Sequence, residues 1–191
     1  LVGTMDVRDF VAMPDLFPSL RTLDISAVAI EEFVAIDRLL GGKTFFEADA
    51  LPAQAFFGMG LTSVALPQGL KKINEGAFTA VPLKNIDIPT SVVTIGDYSF
   101  YDCDELESIT LTSEIETIGS YVFAGCDRLA TADLSSARLK SVSEAAFANC
   151  VSLKDVKFSA ATTTICDMTF MNCVALESIA LPSELRKIGG R

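Results

Sequence analysis

The sequence contains no histidine and no tryptophan. Without imidazole, the Ser-His-Asp and Cys-His constellations, histidine-ligated metals and most general-base chemistry near neutral pH are excluded. No spacing recommends a lysine or carboxylate as a substitute, so the chain is read as non-enzymatic, with no catalytic residue, no metal and no cofactor. Basic residues are also scarce, 15 Lys and Arg against 25 Asp and Glu, for a formal net charge of −10. Nucleic-acid binding needs clustered cations, so it is not expected. Attraction to an anionic membrane surface is opposed for the same reason. Long apolar runs are missing, although 50% of the residues are hydrophobic. The run from Ile25 to Ile30 stops at Glu31, and no stretch nears the roughly 20 residues a spanning helix needs. Membrane insertion is therefore not expected. Neither a basic n-region nor an apolar h-region stands at Leu1. No Gly-rich phosphate loop occurs.

What is present is a repeat. Phe56, Phe78, Phe100, Phe123, Phe147 and Phe170 follow one another at steps of 22, 22, 23, 24 and 23 residues. Five residues before each stands Leu51, Ile73, Ile95, Ile118, Val142 or Ile165. After each comes Leu-x-x-apolar-x-apolar, as in Leu106-Ile109-Leu111 and Leu176-Ile179-Leu181. Pro follows this segment in three copies, as Pro67, Pro89 and Pro182. A unit this short cannot bury its own apolar face, but stacked copies bury it against one another. Period-2 alternation makes the segment a strand with its apolar residues inward. The expectation is a leucine-rich repeat solenoid of the α/β type, a right-handed superhelix. It would carry a parallel β-sheet on the concave face and short strands, turns or short helices on the convex face. The phenylalanines should stack as one buried column. The glycines of Ile95-Gly96, Ile118-Gly119 and Ile188-Gly189 are read as turn residues.

The chain is read as one domain, 1–191. Residues 1–19 form a small helical cap, with a helix over Asp6 to Ala12 capped by Thr4 or Asp6 and ended by Pro14. Residues 20–55 hold a first repeat, its strand at Leu20 to Ile25, with an insertion at about 26–50 that contains the Gly41-Gly42 breaker. Phe45, Phe46 and Phe57 are expected to pack this insertion onto the solenoid. Residues 56–191 are tandem repeats with the last incomplete, which suggests a fragment of a longer protein. An uncovered final coil around Leu181, Leu185 and Ile188 would favour self-association.

These residues resemble the BspA-like class of leucine-rich repeats. Its unit reads Phe-x-x-Cys-x-x-Leu-x-x-Ile-x-Leu-Pro and then Ile-Gly-x-x-Ala-Phe. Phe100 to Ile109 and Phe170 to Pro182 fit closely. Gly3-Thr4, Asp9-Phe10 and Leu20 to Ser26 resemble the cap of such proteins from gut and oral anaerobes. Val142-Ser143 and Ile165-Cys166 depart from the Ile-Gly step, and the first two copies lack the Cys and are one residue shorter there. The resemblance implies a secreted or cell-surface protein engaged in adhesion, coaggregation or contact with host proteins.

Three residue sets could carry function. Cys103, Cys126, Cys150 and Cys173 share one repeat slot and should form an inward column of free thiols. Parallel in-register side chains suit disulfides poorly, and a column cannot converge on one tetrahedral metal. Cys166 lies outside this slot and should be more accessible. Outward strand positions, among them Asn85, Asp87, Thr110, Asp133 and Asp155, make either a ligand trough or an ordinary solvated sheet face. Tyr98, Tyr101 and Tyr121 fall near one another and make either a binding patch or surface cover. The expected function is extracellular recognition or adhesion, with a protein or glycan ligand bound by the solenoid surface. The alternatives are a structural spacer or a glycan-binding accessory domain.

Overall fold

The computed structural model describes residues 1–36 and 43–190. It is a parallel-stranded leucine-rich repeat solenoid of about eight turns. The chain opens with strand β1 (Val2–Met5) and helix α1 (Val7–Leu16). Asp6 is the N-cap, and Asp6 and Asp9 form a reciprocal capping box that satisfies two otherwise unpaired N–H groups. The helix runs past Pro14, beyond the expected end at Ala12. Proline removes a single N–H near the C-terminal end, and the bond from Phe17 N to Met13 O, 2.9 Å, closes the last turn around it. Phe10 and Met13 face inward, and Phe10 meets Phe56 edge-on at 5.7 Å.

After β2 (Thr22–Asp24), the insertion supplies β3 (Ala27–Ile30) and the antiparallel pair β4 (Phe33–Ile36) and β5 (Lys43–Phe46). Strand β3 pairs in parallel with β1, so cap and insertion form one structure. The Gly41-Gly42 breaker lies outside the described residues. The expected Phe45–Phe46–Phe57 packing is not observed. Phe45 and Phe57 are 71% and 55% exposed. Phe46 instead pairs with Phe33 across the hairpin at 6.3 Å, and the Arg8 guanidinium covers the Phe33 ring at 4.5 Å. The Lys72–Glu47 ion pair, 3.1 Å, links hairpin to solenoid.

Each later coil contributes up to two short strands. The Leu-x-x-Ile segments give β7 (Ser63–Ala65), β10 (Ser108–Thr110), β12 (Thr131–Asp133) and β14 (Asp155–Lys157). The segments before each Phe give β6 (Ala50–Leu51), β8 (Lys72–Ile73), β9 (Thr94–Ile95), β11 (Thr117–Ile118), β13 (Ser141–Val142), β15 (Thr164–Ile165) and β16 (Lys187–Ile188). Among the described residues α1 is the only helix. The first ladder is interrupted: β7 pairs with β2, and β10, β12 and β14 pair together, while residues 85–87 and 178–180 join no strand. Leu83 N bonds Val81 O at 2.8 Å across Pro82, a tight turn that re-aims the chain before Asn85. The second ladder breaks between β11 and β13. That break falls where one coil carries an extra residue.

A third set of cross-coil bonds runs beside the phenylalanines. Phe78 N donates to Ser99 O at 2.8 Å, Phe100 N to Val122 O at 2.9 Å, and Phe123 N to Ala146 O at 2.9 Å. Residues two before and two after Phe donate likewise, as Tyr98 N to Ser120 O and Asp102 N to Ala124 O, in every copy up to Met168. To aim those N–H groups along the stack, both positions take positive φ in every copy, including Tyr98 (55°), Tyr121 (56°), Ala145 (50°) and Asn149 (62°). The glycines after Ile do not share this conformation. Gly96 and Gly119 serve close approach, since a Cβ on Gly96 would lie 2.8 Å from Glu75 N and one on Gly119 would overlap Asp97. This corrects the turn reading.

The phenylalanine column forms as expected. Phe78–Phe100, Phe100–Phe123, Phe123–Phe147 and Phe147–Phe170 stack at 5.1, 5.4, 5.4 and 5.8 Å. All are fully buried except Phe170, which is only half-buried and meets Phe158 edge-on.

Candidate functional site

The cysteine column is structural. Cys103, Cys126, Cys150 and Cys173 are buried free thiols. Each Sγ donates to the carbonyl of the Phe in the preceding coil, at 3.0–3.2 Å. Burial pushes the Cys103 thiol up to about 12 and that of Cys173 to about 11. Burial also drives Cys126 and Cys150 strongly upward. A thiol held this far from its thiolate is neither nucleophile nor ligand at neutral pH. Cys166 is free and partly accessible, with its Sγ 3.3 Å from Ser141 Oγ.

The sheet face holds Asn85, Asp87, Thr110 and Asp155, all exposed, and Asp133, half-buried. The structure distributes them instead of gathering them. Asn85 and Asp87 lie on the coil outside the ladder. Thr110 is opposite Asp133, and Asp155 is opposite Thr131, so the two carboxylates are diagonal neighbours. Asp133 is occupied: Oδ1 accepts from Ser135 N at 3.0 Å and Ser135 Oγ at 2.6 Å, and Oδ2 lies 3.3 Å from Lys157 Nζ. The bonds from Ser135, with help from Lys157, hold its carboxyl below the usual range. Asp24 makes the same bonds to Ser26. These carboxylates finish the strands as Asx-type caps.

The tyrosines do come together. Tyr98 and Tyr121 stack at 5.1 Å with planes 6° apart, and Tyr98 meets Tyr101 edge-on at 5.7 Å. Tyr98 is 39% exposed and the other two are half-buried. Desolvation, followed by Tyr121 and the carboxylates of Asp97 and Glu75, raises the Tyr98 phenol above its ordinary value. Tyr101 and Tyr121 rest on Ala124, Ala145 and Ala148, with Met168 on the same cluster. The sequence reading missed this alanine floor, although those residues share repeat slots with the tyrosines. A separate cavity of about 280 Å³ lies between hairpin and solenoid, lined by Glu31, Phe46, Glu47, Pro52, Lys72 and Glu75 among others. Among the described residues no cluster of Cys, Asp or Glu is arranged to hold a metal ion, and no helix is long and apolar enough to cross a membrane.

The repeat pattern matches the model of the BspA-type leucine-rich repeat region, in six copies, over residues 49–175 and 136–191. The chain belongs to this family. Several solved structures share the fold. A leucine-rich repeat protein of T. pallidum is 20% identical, with a TM-score of 0.58, covering 76% of this chain and 88% of that one. One from Bacteroides ovatus ATCC 8483 is 24% identical, with a TM-score of 0.59, covering 88% of this chain and 48% of its own. One from Eubacterium ventriosum ATCC 27560 is 18% identical, with a TM-score of 0.51, covering 90% and 41%. At these identities the likeness is one of fold. Comparison with curated proteins gives no match. As a BspA-type repeat protein, the chain has the architecture of a protein-interaction scaffold, in a family that is generally non-catalytic.

Proposed function

We propose that this BspA-type chain is a non-enzymatic recognition or adhesion module of the cell surface or extracellular space, binding a protein or glycan through its solenoid surface. The observation that carries this reading is the tyrosine trio. Tyrosine offers large amphipathic contact area at low entropic cost, and here two of the three occupy backbone positions that disfavour bulky side chains. The sheet-face residues Asn85, Asp87, Thr110 and Asp155 form a second, more polar candidate surface on another side of each coil. Secretion or surface attachment is typical of BspA-type proteins. Free cysteines are compatible with an oxidising environment because burial keeps the column protonated.

The test is direct binding of the full-length protein to a panel of extracellular-matrix proteins and to glycan arrays. The reading expects at least one saturable ligand. It also expects loss of binding in a Tyr98→Asn/Tyr121→Asn variant, whose asparagines tolerate positive φ. Absence of binding across both panels would reject it in favour of a spacer role.

A further inference from the structure

Charge is distributed unevenly around each coil. Take the nine positions from four before to four after each Phe, residues 52–60, 74–82, 96–104, 119–127, 143–151 and 166–174. This arc contains no Lys or Arg in any copy. It does contain Glu75, Asp97, Glu144 and Asp167 in one slot, forming one rim. Asp102, Asp104 and Asp127 form the other. Elsewhere on the coils both signs of charge occur, and some pair between neighbours, as Arg128 with Glu105 at 2.6 Å, Arg138 with Glu114 at 3.0 Å, and Lys157 with Asp133 at 3.3 Å. Among the described residues, no arc carboxylate joins an ion pair. Asp102 and Asp104 are raised above their ordinary value, first by desolvation, then for Asp102 by Asp104 and Asp127 and for Asp104 by Asp127 and Glu105.

Between these rims runs an apolar stripe from Tyr98 and Tyr101 through Tyr121 to Met168 and Met171, laid over the buried alanine floor and spanning four coils. With coils about 4.8 Å apart, the stripe is roughly 15–20 Å long. That exceeds a small cation and matches a short extended peptide. Rings beside unmatched carboxylates suit a guanidinium or ammonium group, which can lie over a tyrosine while its charge meets the rim.

We infer that the arc centred on Tyr98, Tyr101 and Tyr121 docks an extended polypeptide segment of a protein partner, one carrying Lys or Arg interleaved with small apolar residues. The inference rests on the interaction-module reading and specifies its partner. Carboxylates lining both rims of an arc that carries no Lys or Arg gain their compensation from a basic ligand.

The probe is a fluorescein-labelled dodecapeptide of alternating Arg and Ala, followed by anisotropy at low and high salt with the whole chain. Three variants accompany it, each checked for an unchanged melting temperature. The arc variant is Glu75→Gln/Asp127→Asn/Glu144→Gln. The control, Glu107→Gln/Glu177→Gln/Glu184→Gln, removes the same charge from exposed positions outside the arc. The third is Tyr98→Asn/Tyr121→Asn. Binding should weaken by about tenfold or more in the arc variant, or roughly 1.4 kcal/mol, and severalfold in the tyrosine variant, with the control close to wild type. Hydrogen exchange should place peptide protection on 96–104 and 119–127. Equal loss in arc and control variants would reduce the effect to net charge and overturn the inference. So would an unaffected tyrosine variant, protection elsewhere, preference for spermine over the peptide, or no binding. A matrix protein bound through the sheet face would refute this arc while leaving the interaction-module reading intact.

Discussion

Phe123→Ala removes the middle of the aromatic column. The ring is fully buried and stacked on both faces, with Phe100 and Phe147 each at 5.4 Å and 16°. Its neighbours are held by their own cross-coil bonds, Phe100 N to Val122 O and Phe147 N to Thr169 O, so the site has little freedom to collapse. The substitution should therefore cost the full transfer and cavity terms, about 3–5 kcal/mol. Phe170 is half-buried with one stacked neighbour and one edge-on neighbour, so Phe170→Ala should cost roughly half as much. Urea melts followed by circular dichroism measure both. Because neighbouring coils fold cooperatively, the slope should be checked for three-state behaviour before free energies are compared. A Phe123→Ala cost below about 1 kcal/mol, or one no larger than that of Phe170→Ala, would refute a rigid stacked column.

Ala80 is exposed at φ 56°, so Ala80→Gly should stabilise the chain by about 1 kcal/mol by relieving the left-handed conformation, seen as a higher urea midpoint. Gly119→Ala should destabilise by about 1–3 kcal/mol, because its Cβ would overlap Asp97 of the preceding coil; an unchanged melt would show that the coils can separate locally. Thiol titration should count five sulfhydryls in the unfolded chain, and Cys166 should be the fastest to react in the native state. The column thiols are raised in the folded state above their ordinary value near 9, Cys103 to about 12. The neutral form is thus favoured by folding, and its contribution is complete below about pH 9 and lost as pH rises towards 12. Stability should fall over that window in reducing buffer, and less steeply for Cys126→Ala.

The fold was legible because the core is written in one-dimensional slots. Phe, Leu, Ile and Cys recur where the stack needs them, and alignment alone placed the column and the buried thiols. Interruptions of the ladders were not legible, since they depend on turns such as Val81-Pro82-Leu83 and on a single extra residue in one coil. The helix extending beyond Ala12 was missed because proline was taken as a stop, although one lost N–H near a helix end is easily borne. The sheet-face carboxylates were marked as a candidate trough by their position. Position alone does not reveal that Asp133 is engaged by Ser135 and Lys157. The tyrosines were placed together correctly because two of them share a slot, while the alanine floor beneath them carried no chemical signal.

The most informative contrast lies within one repeat slot. Two residues before Phe, every copy takes left-handed backbone, and the fold requires this so that the N–H can reach the next coil. Glycine meets the requirement without steric cost, as Gly76 does, and asparagine would meet it cheaply. Tyr98 and Tyr121 meet it at a conformational penalty on the order of 1 kcal/mol each, only partly offset by their mutual stacking. The phenylalanine column does not need them, because the same slot holds exposed Gln54, buried Gly76 and Ala145 and half-buried Met168 in other copies. Backbone physics therefore predicts residues other than tyrosine at both positions. Gln54, Ala145 and Met168 carry the same backbone strain, but the two tyrosines stand in adjacent coils, beside carboxylates that have no ion-pair partners among the described residues. On the proposed recognition role, a residue choice that the backbone disfavours, repeated where two side chains can touch, follows from what the surface meets rather than from what holds the coil.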